Sequence, residues 1–143
     1  QLSETDMTIF FRNLSQIKKD DSVELAFEKI EYAFYLPEEI KDEVLDAWQK
    51  WLSVYLKRLK MEDLADEERA SKMNLINPKY VLRNYMTQLA IDEADKGDYS
   101  LVDELFHLLK NPYDEQPESE KWFAKRPDWA RSKVGCSMLS CSS

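Results

Sequence analysis

Few side chains in this sequence have the types and spacing to carry covalent chemistry. One histidine, His107, and two cysteines, Cys136 and Cys141, occur in 143 residues. A lone imidazole has no second histidine with which to build a metal site, and His107 falls off the stripe set by Leu105 and Leu109. A surface or edge position therefore outweighs a role as base or ligand. The cysteines are spaced C-x4-C in a small, polar stretch with Arg131 and Lys133 upstream. Accessible thiols beside positive charge favour the thiolate, the form that exchanges and oxidises. The competing reading is a pair of inert terminal thiols, and C-x4-C without two further ligands does not make a zinc site.

The densest polar run is Asn77-Pro78-Lys79-Tyr80-Val81-Leu82-Arg83-Asn84-Tyr85. With Asn77 as N-cap and Pro78 at the first helical position, Lys79, Arg83 and Asn84 occupy the first two turns of a helix. Free N–H groups and a guanidinium fork there can grip a phosphate or carboxylate. The alternative keeps the cap and pairs Arg83 with a nearby acid. Carboxylate groups such as Glu38-Glu39 and Asp66-Glu67-Glu68 sit in expected first turns, where they complement the helix dipole without any catalytic role. Trp48 and Trp51, at i and i+3, read as core.

The elements that must position these groups are helical. Met7, Phe10, Phe11, Leu14 and Ile17 follow the i, i+3, i+4, i+7 pattern from an N-cap at Ser3. Ser22 caps a second stripe of Val23, Ala26, Phe27, Ile30, Ala33 and Phe34. Pro37 opens a long third helix with both Trp48 and Trp51 turned inward, and a short acidic helix covers 64–75. The helix begun at Asn77-Pro78 ends at Gly97 in a left-handed C′ position, and a sixth runs from Ser100 to Leu109. The expected fold is all-α, five or six helices in a single bundle over 1–110. Residues 111–143 form an extended tail whose Tyr113, Trp122, Phe123 and Trp129 dock in surface grooves. Composition makes the part from Trp129 onward mobile.

Composition narrows the function classes. Two glycines, Gly97 and Gly135, cannot build a phosphate-cradling loop. A net charge of −8 opposes phosphate backbones and anionic lipid surfaces, so neither nucleic acid nor membrane is an expected partner. The charge lies in the body: residues 1–110 hold 15 basic and 23 acidic side chains, and 111–143 five of each. The low cysteine count suits a reducing compartment. A chain that starts at Gln1 is expected to be a piece of something longer.

Particular segments carry the reading further. NPKYVLRNYMTQLAIDEADKGDYS, then LVDELFHLLKNPYDEQPE, the ending SCSS and, more loosely, TIFFRNLS near the start resemble the C-terminal region of the selenoprotein O family, the kinase-like protein adenylyltransferases. The resemblance implies an enzyme that transfers AMP from ATP, with Mg2+ or Mn2+, to Ser, Thr or Tyr hydroxyls of proteins. It also implies that this chain is the helical part beyond the kinase-like core, with the missing N-terminal kinase-like domain and protein substrates as partners. No catalytic residue is carried over: the chain shows no Gly-rich loop, strand-borne Lys–Glu pair or DFG-like turn. The family's antepenultimate position is cysteine or selenocysteine; here it is Cys141, which the resemblance makes a redox residue. Cys136 is matched to no family position, so a Cys136–Cys141 disulfide is not something the resemblance implies. Bacterial members are expected in the cytoplasm and eukaryotic ones in mitochondria. The other reading is a non-catalytic module that recruits partner proteins through its acidic surface and tail aromatics.

Overall fold

The computed structural model describes residues 3–133 and 136. It is all-α: six α-helices and three short 3-10 turns among the described residues, with Thr5 and Phe34 joined in one isolated antiparallel bridge. The chain divides into two compact units, 1–77 and 78–143. The sequence pattern implies a single bundle over 1–110 with an extended tail after it. Instead the apolar residues gather into two cores, and Trp122, Ala130 and Cys136 of the supposed tail belong to the second.

The first unit holds α1 (Met7–Leu14), α2 (Val23–Glu31), α3 (Asp42–Met61) and α4 (Asp66–Ile76). Helix α2 packs on α1 and α3, and α4 packs on α1. The N-cap of α1 is Asp6, not Ser3: its side chain accepts from the Ile9 amide at 3.1 Å. The bridge to Phe34 explains the shift, because Asp6 N donates to Ala33 O (2.8 Å) and Tyr35 N to Glu4 O (3.0 Å), which keeps residues 4–6 extended. Ser22 caps α2 as expected, accepting from the Leu25 amide. Pro37 opens only a 3-10 turn, Pro37–Glu39. Asp42 takes φ +50°, a left-handed setting that Asp tolerates better than most residues, and α3 starts there.

The core of this unit is aromatic at one side. Trp48 lies 5.0 Å from the Phe34 ring and 5.7 Å from Phe10. Trp51, expected inward, sits at the edge of this cluster, 5.8 Å from Trp48 and 6.1 Å from Phe10, and is 39% exposed, stacked on Tyr55 at 5.4 Å. Two buried arginines tie helices through backbone carbonyls. Arg12 donates to Asn74 O and Asn77 O, satisfying the end of α4, and Arg69 donates to Ile17 O and to Asp66.

The second unit holds α5 (Asn84–Ala94) and α6 (Ser100–Lys110), with 3-10 turns at Pro117–Trp122 and Asp128–Arg131. Gly97 ends α5 at φ +89° as the sequence implied. The bonds Asp98 N to Glu93 O and Gly97 N to Ala94 O form the paired closure of a Schellman turn. Asn77-Pro78 does not open α5. Asn77 instead ends α4, and residues 78–83 run non-helically to Arg83, the N-cap of α5.

Candidate functional site

The geometry of 78–83 follows from where its backbone bonds go. Lys79 N and Tyr80 N both donate to Pro112 O, at 2.7 and 3.0 Å. Amides spent on a residue 30-odd positions away cannot close helical turns, so the segment stays extended. Tyr80 is buried to 1% exposure, and its hydroxyl donates to Gln116 O at 3.0 Å. Gln116 in turn donates to Leu108 O and Asn111 O, closing the open end of α6.

Lys79 is the charged centre of this arrangement. Its buried ammonium meets Glu115 and Glu120, each at 2.6 Å, and lies 5.1 Å from the Phe123 ring centroid. Burial works against the charged form, but the hydrogen bonds that the ammonium donates to both glutamates outweigh it and hold the Lys79 pKa above the ordinary lysine value. The NPKYVLRNY and PYDEQPE segments are thus one interlocked structure: the first supplies donors, the second acceptors. This corrects the anion-grip geometry expected of Lys79, Arg83 and Asn84. Lys79 and Arg83 precede α5 rather than lying inside its first turns, and the Lys79 charge is met by two carboxylates. Arg83 is buried and engaged. Asn84 Nδ2 donates to Cys136 O at 3.3 Å.

Residues 128–133 and 136 are held along α5. Tyr85 meets Trp129 edge-on at 6.2 Å, Lys133 pairs with Asp92, and Asn84 holds the Cys136 carbonyl. The Asp92 carboxyl is held below its usual range by hydrogen bonds from Lys133 and Gln88. The described part of the stretch expected to be mobile is therefore docked, with Ala130 and Cys136 buried. Cys136 is a free thiol inside an apolar cluster with Tyr80, Tyr85, Met86 and Trp122, not the accessible thiol its terminal position suggested. Cys141 and Gly135 lie outside the described residues. Trp122, the buried tail aromatic, donates its indole N–H to Glu104 at 2.7 Å, and Lys121 pairs with the same carboxylate. Together these hold the Glu104 pKa below the usual glutamate value.

His107 is exposed, its Nδ1 2.7 Å from Asp103 O. Among the described residues no three His, Cys, Asp or Glu side chains gather around a point where a cation could sit. No helix there is long and apolar enough to cross a membrane. The buried arginines of the first unit and the Lys79 clasp escaped sequence reading. The clasp left one signal: a basic NPKY segment and an acid-rich DEQPE segment in one chain.

A helical scaffold built from these two signature segments defines the class. The family described as protein adenylyltransferase SelO matches residues 1–110, and the chain belongs to that family. Individual relatives agree. The chain is 76% identical over all 143 residues to the protein nucleotidyltransferase YdiU of Flavobacterium johnsoniae, of which it covers 27%. It is 48% identical over its whole length to the protein of the same name from Rhodopirellula baltica, covering 28% of it. Over 99% of its length it is 47% identical to that of Aromatoleum aromaticum, covering 26%. The chain thus spans about a quarter of the length of these curated relatives.

Proposed function

We propose that this chain is the helical supporting part of a protein nucleotidyltransferase. In the reaction, a Ser, Thr or Tyr hydroxyl of a protein substrate bonds to the α-phosphorus of ATP and pyrophosphate leaves. The observation that carries the reading is 76% identity to a named nucleotidyltransferase over every residue of the chain, joined to a family match over 1–110. ATP and Mg2+ or Mn2+ are assigned to the rest of the polypeptide, the expected kinase-like domain. The described residues do not fit them: the best-placed cation, Lys79, is met by Glu115 and Glu120. The described residues of the chain stabilise rather than react.

Cys141 supplies regulation in this proposal. Its thiol and a second cysteine thiol form a reversible disulfide by exchange with a small-molecule disulfide, which leaves as two thiols. Cys136, buried and held through its carbonyl, acts as a packing residue. The test is AMP transfer from labelled ATP to acceptor proteins by the full-length enzyme, with and without reductant, for wild type and Cys141→Ser. Transfer that responds to reductant in wild type but not in the variant is expected. No transfer with either metal overturns the enzymatic reading, and identical activity in all four conditions removes the redox role.

A further inference from the structure

Helices α5 and α6 leave an apolar groove of about 350 Å³ whose lining includes Leu82, Ala90, Ile91, Val102, Phe106 and Leu109. Thr87 is the only polar side chain in its wall. Leu82, Ile91, Val102 and Phe106 are between 42% and 59% exposed, an unusual outlay of large apolar side chains for one short helix pair. The groove is preformed, because the Schellman turn at Gly97 fixes the exit of α5 and Leu105 and Ala90 are buried beneath it. A lining with almost no polar group cannot recognise a charged or hydrogen-bonding ligand. It can only bury another apolar surface.

We infer that this groove is the seat of an apolar face of the same polypeptide, supplied by the portion that the relatives possess beyond this chain. The inference rests on the reading above that the chain works as one part of a longer enzyme. The chain covers 27% of the Flavobacterium relative, so roughly three quarters of such a protein lies outside this chain and is available to cover the groove. A second copy is the poorer occupant. Each chain carries −8, so two copies repel one another over any shared face. An intramolecular partner also needs no concentration to stay bound, which suits a groove this short.

The experiment places the photo-crosslinking residue benzoyl-phenylalanine at Phe106, and separately at Ile91, in the full-length protein. Both positions are already exposed in this chain, so the bulky group does not disturb the core. Mass spectrometry of the irradiated protein identifies the crosslinked peptide. Crosslinks from both positions to peptides outside these 143 residues, with unchanged yield over a hundredfold dilution, are expected. Crosslinks confined to these residues, dimer-sized adducts, or no crosslink at either position overturn the proposal. AMP transfer is assayed on the same samples. An inactive protein with the crosslink intact counts against the enzymatic reading alone, whereas an active protein without it counts against the docking groove alone.

Discussion

Replacing Lys79 by methionine tests whether charge locks the two signature segments together. Methionine keeps most of the aliphatic stem but removes the ammonium, and with it two ion pairs at 2.6 Å and the contact with Phe123 at 5.1 Å. The glutamate side chains are 62% and 55% exposed, so both return to water instead of being stranded as buried charges. That limits the penalty. Two solvent-screened pairs at ~0.2–1 kcal/mol each and the closer of two cation–π contacts at ~0.5–1 kcal/mol give a loss of about 1–3 kcal/mol. Native-state hydrogen exchange at α5 and α6 amides reads this as roughly 5- to 150-fold faster exchange. A cycle that adds Glu115→Gln and Glu120→Gln should return a coupling energy of ~0.5–2 kcal/mol. The pH sign is fixed by the raised Lys79 pKa. A raised folded-state value gives stabilisation that is complete below the unfolded lysine pKa of about 10.4 and is lost as pH climbs through the folded one. The lysine side of the clasp should therefore be intact at neutral pH and be lost in strongly alkaline solution. Coupling below ~0.3 kcal/mol, or exchange unchanged by Lys79→Met, would refute the clasp.

Three further outcomes follow from single contacts. Gly97→Ala meets no atom within 4 Å of the added Cβ, so its cost is the φ of +89° alone, about 1 kcal/mol, read by urea unfolding; a neutral change would mean that the turn is not what fixes α5. The lowered Glu104 pKa places its contribution above the unfolded value of about 4.3 and removes it as pH falls through the folded one. The Trp122 indole N–H resonance should shift in that acid window, and Glu104→Gln should abolish the step; a step that survives the substitution would assign it to another group. Arg69→Met strands the Ile17 carbonyl and frees Asp66, which should destabilise the first unit by about 2–3 kcal/mol in thermal unfolding. A loss below ~0.5 kcal/mol would show that water replaces the guanidinium.

Local signals were legible wherever a residue acts on its immediate neighbours. Ser22 caps α2 through an amide three residues on, Gly97 reverses the chain at the end of α5, and apolar stripes mark every helix but the acidic α4. Helix boundaries failed where a distant partner claimed the backbone. Phe34 kept residues 4–6 extended and moved the cap from Ser3 to Asp6, and Pro112 drew the Lys79 and Tyr80 amides away from helix formation. The same cause reversed the candidate site. Lys79, Arg83 and Asn84 have the composition of an anion grip, yet whether a cation is available depends on which acids fold against it, and Glu115 and Glu120 lie 36 and 41 positions away.

By itself, then, the sequence determined the helical class, the family and the absence of a glycine-built phosphate loop, because periodicity, motif and composition are local or additive properties. Only the tertiary structure decided that the chain forms two cores instead of one bundle with a loose tail, and that Cys136 is buried. It also set the ammonium of Lys79, read as part of a candidate anion grip, between Glu115 and Glu120. Those outcomes depend on pairings between residues tens of positions apart, whose free energy exists only once the chain has brought them together.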